Sequence, residues 1–242
     1  MINTNDVYRT VLFILNKEQR GYLTPAEFNK VAEQVQLEIF EKYFEDLNQQ
    51  LRSPQNDSEY GNRVKVIREK IQKFETSSIL QTATSTPLVS GSIKFANPSL
   101  LHRIGMIQYE VGSLNPVEIE LSTQRKVTEM RRSKLTQPST NNQYYYQQDD
   151  NVYCFGGLPP QVNVIDYVMY YIRKPNPPTW EFSLGNMGQY NHTGGQNFEL
   201  SSIEQTEVVL KILSYAGIII RDPQIVNQAA QMAAAEDANE KS

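Results

Sequence analysis

The chain has 242 residues and a formal charge of −4, with one Cys, two His and a hydrophobic share of 39%. Its 19 Asn and 21 Gln place a side-chain amide at 40 of 242 positions, and mean hydropathy is −0.51. These values exclude a disulfide framework, a closed Cys/His zinc site and, at a pI near 5.4, a general nucleic-acid binder.

No apolar run approaches the ~20 residues that cross a bilayer; the longest are Val11–Leu15 and Ala216–Ile220. Met1–Asn5 lacks the basic region and cleavage site of a secretory signal, so a reducing compartment and no membrane association are expected.

In chain order, Thr4-Asn5-Asp6 reads as a cap for a helix carrying Val7, Tyr8, Val11, Leu12, Ile14 and Leu15. Thr24-Pro25-Ala26-Glu27 forms a capping box that opens a second helix. Its apolar seam is Leu37, Phe40, Phe44, Leu47 and Leu51. Ser53–Asp57 breaks that helix. Val64, Ile67, Ile71 and Phe74 then define a third, so the two form an antiparallel hairpin.

From Ser77 the texture turns to short β-like runs: Leu88–Phe95, Arg103–Val111, Val117–Leu121, Gln143–Gln147, Val152–Phe155 and Val162–Arg173. A short helix, Gln124–Leu135, interrupts them, and Asp149-Asp150-Asn151 reads as a hairpin turn. Val162–Arg173 is apolar on both faces, which predicts a central strand or one that meets a neighbouring subunit. Gly185–Asn197, rich in Gly and Asn, reads as a mobile polar loop.

Ser201–Glu204 is a second capping box, before a helix with Val208, Val209, Ile212 and Leu213 inward; Gly217 is its expected stop. Asp222-Pro223 opens an Ala/Gln-rich last helix, followed by an acidic tail. The expected organisation is a helical region over 1–76, a β-rich region over 77–198 with loop 185–197, and C-terminal helices with the tail over 199–242. These make one composite α+β domain.

Candidate chemistry is sparse. Asn16–Glu27 has the spacing of a calcium loop, with Gly21 at its sixth position and Glu27 at its twelfth. However, Asn16 stands at the first position in place of Asp, Glu18 at the third, and the cation Arg20 at the fifth, where the ion needs an oxygen. Cys154 lies in a strand-like run, as a buried inert thiol does. His102, His192, Asp149 and Asp150 form no local nucleophile–base signature, and no metal or cofactor is implied. Gly156-Gly157 and Gly194-Gly195 lack phosphate-loop neighbours and read as turns. Arg125, Lys126, Arg131, Arg132 and Lys134 surround the single acid Glu129. They suit a solvated or subunit-facing helix, or contact with DNA phosphates, with Tyr144-Tyr145-Tyr146 nearby to stack on bases.

Taken in order, these elements resemble the head–tail connector (adaptor or ring) proteins of short-tailed bacteriophages, including crAss-like phages. The likeness rests on Asn5-Asp6-Val7-Tyr8 through Asn16–Phe28, then Phe40, Tyr43 and Phe44. It continues through Phe95–Leu101, Pro138 before the Tyr run, Arg173-Lys174-Pro175, Phe198–Ala216 and Ile218–Asp222. The chain departs from the family in its middle, where only Trp180 is present for a Trp/Pro signature.

The resemblance implies a non-enzymatic virion component of the neck or tail region. Such proteins form a homo-oligomeric ring, commonly twelve-fold, between the portal protein and adjacent tail or ring proteins, around a channel for packaged DNA. It implies that Asp222–Ser242, with Ile225, Val226 and Met232, docks on the portal. The residues expected in the core or between subunits are Leu37, Phe40, Phe44, Leu47, Tyr167, Met169 and Tyr171. The alternatives are another tail or cargo protein, and an enzyme (a metal-dependent nuclease or hydrolase) using Asp149, Asp150 or His102.

Overall fold

The computed structural model describes residues 1–17, 22–52, 58–80, 92–111, 116–139, 142–156, 165–220, 228, 230–232 and 234–235. The helices α1 (Thr4–Lys17), α2 (Pro25–Arg52) and α3 (Ser58–Gln72) come first. Strands β1 (Glu75–Ile79), β2 (Ser92–Ala96), β3 (Leu101–Val111) and β4 (Val117–Leu121) precede helix α4 (Gln124–Arg132). Then come β5 (Tyr144–Gln148), β6 (Asn151–Phe155), β7 (Ile165–Arg173), β8 (Thr179–Leu184) and β9 (Tyr190–Gln196), and finally α5 (Gln205–Ile220). The fold is α+β. Two compact units divide it: Met1–Lys70 with Pro175–Ser242, and Ile71–Lys174. The hairpin β8–β9 therefore belongs with the helices, not with the β-rich region where the sequence reading placed it.

In the helical unit, Asn3 caps α1, rather than the Thr4–Asp6 cluster: its Oδ1 accepts from the Asn5 N–H at 2.8 Å, as an N-cap side chain does. Thr4 is turned to another task, donating its hydroxyl to the Gln196 carbonyl at 2.8 Å. The capping box of α2 forms as expected. Glu27 Oε2 accepts from the Thr24 N–H at 2.9 Å, and the Glu27 N–H donates to Thr24 Oγ1 at 3.3 Å.

The buried stripe of α2 runs Phe28, Val31, Val35, Ile39, Phe40, Tyr43 and Phe44. The seam is thereby shifted from its expected line. Phe40 and Phe44 lie in the core, Leu37 and Leu47 are half-buried, and Leu51 is exposed. The reason is that α2 buries one side against both α5 and β8, so its apolar face is wider than a two-helix seam. Lys70 of α3 lies over the Tyr43 ring of α2 at 5.4 Å. The breaker at residues 53–57 lies outside the described residues.

Val208, Val209, Ile212 and Leu213 of α5 are buried as expected. Gly217 does not stop α5, which continues to Ile220. A glycine remains helical at a cost of about 1 kcal/mol relative to Ala, and here it sits buried beside buried Ala216.

In the second unit, seven strands run in the order β1-β7-β3-β4-β5-β6-β2. All neighbours are antiparallel except β4 and β5. The sheet curls so that Phe95, on one edge strand, meets the ring of Tyr167, next to the other edge, at 4.7 Å. Inside the curl lie Ile107, Tyr109, Ile119, Tyr145, Val152 and Met169. β7 has hydrogen-bonded neighbours on both sides, which accounts for its apolar character. Residues 88–91 and 162–164, expected as strand, lie outside the described residues. The turn at Asp149 forms as read, with φ 52°, a left-handed conformation that Asp tolerates better than most residues. The short helix ends at Arg132 rather than Leu135, and the Ser133 N–H donates back to the Met130 carbonyl at 3.1 Å.

Candidate functional site

The basic helix α4 sits on an aromatic bed. Val127 and Met130 face Tyr144, Tyr146, Tyr153 and Phe155, while Arg125, Lys126, Arg131, Arg132 and Lys134 are exposed. Two of these cations are paired locally: Arg125 with Glu129 at 3.1 Å and Lys126 with Glu120 at 3.5 Å. The Arg131 guanidinium lies 5.7 Å from the Phe155 ring. Arg131 and Arg132 occupy the last turn of α4, where the helix dipole favours cations.

The tyrosines are buried rather than presented for stacking on bases. Tyr144, Tyr145 and Tyr146 are 8%, 3% and 4% exposed. Strand alternation sends Tyr145 into the curl and its two neighbours under α4, so none offers an open ring face.

Tyr167, Met169 and half-buried Tyr171 belong to the interior of the curled sheet. The faces open to partners are elsewhere. On β7 the outward residues are Val168, Tyr170 and Ile172, with Tyr170 37% exposed. A groove of about 380 Å³ along β1 and β7 is lined by Thr76, Ser77, Gly105, Tyr170 and Ile172.

Segment 185–197, expected as a loop, is instead the turn and second strand of the hairpin β8–β9. Its apolar side chains stand out, with Leu184 66%, Met187 93%, Phe182 38% and Tyr190 37% exposed. Gly194-Gly195 makes no turn. It lies within β9, where Gly195 has φ +130°, and a Cβ there would sit 2.0 Å from the Thr179 carbonyl oxygen. Only glycine permits that approach.

Side-chain amides hold this hairpin. Asn29 accepts from the Trp180 N–H at 2.8 Å and donates to its carbonyl at 3.2 Å. Asn5 Oδ1 accepts from Trp180 Nε1 at 3.1 Å. Gln36, 1% exposed, donates to the Asn176 carbonyl at 2.7 Å and accepts from the Glu199 N–H at 2.9 Å. A charged cluster continues the latch. Buried Glu204 accepts from the Tyr43 hydroxyl at 2.5 Å and the Ser201 N–H at 3.0 Å, and pairs with Lys70 at 2.9 Å. Lys42 pairs with Glu207 at 3.1 Å, and Tyr215 donates to Glu38, which pushes its phenol pKa up.

Between α1 and the hairpin lies a cleft of about 840 Å³. Tyr8 and Trp180 form its back, with ring centroids 4.4 Å apart. Tyr22 and Tyr190 flank it, their rings 12° from parallel with centroids 6.5 Å apart. Burial, and a side-chain hydrogen bond to Tyr22, push the Tyr8 phenol far above its ordinary value, so it stays neutral. His192, exposed on β9, lies 5.4 Å from the Trp180 ring.

Among the described residues no nucleophile, base and orienting group converge as catalytic machinery does. Cys154 is buried, and burial pushes its thiol well above the ordinary range, so it is an inert core thiol. Asp149 and Asp150 form the β5–β6 turn, and the Asp150 carbonyl accepts from the Asn97 N–H at 2.9 Å. Among the described residues no group of three or more His, Cys, Asp or Glu is placed to hold a metal ion, and no helix is long and apolar enough to cross a membrane. Glu27, the twelfth position of the calcium-like spacing, is committed to the α2 cap. Residues 228, 230–232 and 234–235 are helical where described, and Met232 is 59% exposed; Ile225 and Val226 lie outside the described residues.

Sequence reasoning missed the apolar hairpin and the cleft. The signal present was the spacing of Trp180, Phe182 and Leu184 at period two, with Tyr190 beyond a Gly-containing turn. Compared with known proteins, the chain matches no family model and no curated protein.

Proposed function

We propose that this chain is a structural, non-enzymatic subunit of a head–tail connector ring, the neck or adaptor that joins a phage portal to its tail around the DNA channel. The observation that carries the reading is the hairpin β8–β9. Phe182, Leu184 and Met187 stand exposed on an element that glycine geometry and the Asn29 and Asn5 amides hold in a fixed shape. Apolar side chains presented on a rigid element suit association between copies. The outward face of β7, with Tyr170 and Ile172, offers a second such surface.

The resemblance of the sequence to connector proteins supports the same reading. Portal docking falls to the last helix, including Met232. Arg132 and Lys134, at the end of α4, are the cations best placed to meet channel DNA, because Arg125 and Lys126 are paired to acids.

Electron microscopy and native mass spectrometry of the purified chain, alone and with the cognate portal, test the reading. A closed ring is expected, with a copy number per particle that equals the portal's symmetry or a simple multiple of it. A monomer that is absent from particles overturns the proposal. A particle component at unrelated copy number supports the second reading, another tail or cargo protein.

A further inference from the structure

We propose that the cleft between α1 and the β8–β9 hairpin is a binding site for a glycan that carries a carboxylated pyranose. The proposal stands apart from the ring reading, because a monomer would hold the same site.

The volume of about 840 Å³ lies within the roughly 300–1,000 Å³ of small-molecule sites. It holds one or two sugar rings. The flanking rings of Tyr22 and Tyr190 lie nearly parallel to each other and remain 51% and 37% exposed, which leaves aromatic surface for a ligand at the rim. The C–H bonds on one side of a pyranose carry partial positive charge and meet the negative face of an aromatic ring, as ring edges do.

The polar groups suit the ring's edge. Asn5, Gln189 and Asn191 bring side-chain amides to the lining, and an amide both donates and accepts, as paired hydroxyls require. Arg9 brings a guanidinium, whose fork matches a carboxylate. The charged residue of the described lining is Arg9, with no Asp or Glu beside it there, which favours an anionic ligand over a cationic one. A peptide strand is the less fitting occupant: the cleft is walled by ring faces and amide side chains rather than by an apolar pocket for an anchor residue.

The site is also pre-formed. Trp180 is fixed by Asn29 and Asn5, and the Tyr8 hydroxyl donates to the Leu23 carbonyl at 3.2 Å. Ordering costs on binding are therefore small.

Trp180 is the only tryptophan in the chain, so its fluorescence reports the cleft directly. The experiment titrates the full chain with oligogalacturonate. A neutral malto-oligosaccharide of equal length and polyglutamate serve as comparison arms. The expected result is a saturable change with oligogalacturonate, a weaker one with the neutral sugar, and none with polyglutamate. Tyr190→Ala and Tyr22→Ala, at exposed rings, should each weaken binding about ten-fold with an unchanged circular dichroism spectrum. Arg9→Gln should lower the affinity for oligogalacturonate about ten-fold, to that of the neutral sugar.

No saturable change with either sugar overturns the proposal. So does an equal response to polyglutamate, which marks charge attraction alone, or unchanged affinity in the three variants. A Trp180 signal that follows protein concentration and ignores sugar makes the cleft a contact between copies, and also overturns it.

Discussion

The two units are built from different materials. The curled sheet closes around Phe95, Ile107, Tyr109, Tyr145, Tyr167 and Met169, and the buried hydroxyls of Tyr109, Tyr146 and Tyr167 meet no hydrogen-bond partner among the described residues. The helical unit has an apolar core too, yet it joins distant stretches of chain through Asn5, Asn29, Gln36, Asn176, Glu199 and Glu204, each bonded at a specific atom. The same residue type thus does different work in each. The Tyr167 phenol is a large apolar body in the sheet, whereas the Tyr43 phenol is a donor to a buried carboxylate. Burial is tolerant of which apolar group supplies it, whereas a satisfied buried amide or carboxylate is not.

The sharpest way to break the helical unit is at its hairpin. Gly195→Val forces a Cβ against the Thr179 carbonyl and should cost about 3 kcal/mol or more. Chemical denaturation followed by Trp180 fluorescence measures it, while protection of Cys154 from alkylation, read in parallel, should persist if the sheet is independent. Glu204→Gln removes the charge that Lys70 and Tyr43 address and should cost about 3 kcal/mol, as breaking buried ion pairs does.

A matched pair tests the comparison itself. Tyr43→Phe should lose about 1–2 kcal/mol, while Tyr167→Phe should be neutral or slightly stabilising, because it removes an unsatisfied buried hydroxyl. Equal effects in the two denaturation curves would erase the distinction between the units.

The smallest effect concerns the α2 cap. Thr24→Ala should cost about 1 kcal/mol, with a pH signature. The Thr24 hydroxyl and N–H hold the Glu27 carboxyl below its ordinary value of 4.5. A depressed folded-state pKa adds stability that is complete above that value and is lost as pH falls through the folded one. The difference between the denaturation midpoints of wild type and Thr24→Ala should therefore be largest at neutral pH and narrow as the pH falls through the folded-state value, below 4.5.

How far the sequence could be read follows the same division. The capping box at Thr24, the inward face of α5 and the turn at Asp149 were legible because each is set by residues a few positions apart. The strands of the sheet were legible as runs, but not which face of Tyr144–Tyr146 met α4, since aromatic residues serve either face. Segment 190–196 was misread because β9 is exposed on both sides and has no alternation to betray it. The latches were illegible for another reason: Gln36 and Asn176 are 140 positions apart, and Asn5 and Trp180 are 175. Local pattern carries no trace of such pairings. The cleft follows from those latches, so it was hidden as well.

The chain leaves the helical unit after Lys70 and re-enters it at Pro175, which orders events during synthesis. Glu75 pairs with Ile172, and the Arg173 N–H donates to the Phe74 carbonyl at 2.9 Å, so the inserted segment closes on itself like a buckle. It holds all its partners once Lys174 has emerged. The first three helices emerge earliest but wait for Trp180, Phe198 and α5 to complete their core. Domains form as units while chains are made, so the inserted unit can close while the apolar stripe of α2 still waits for α5.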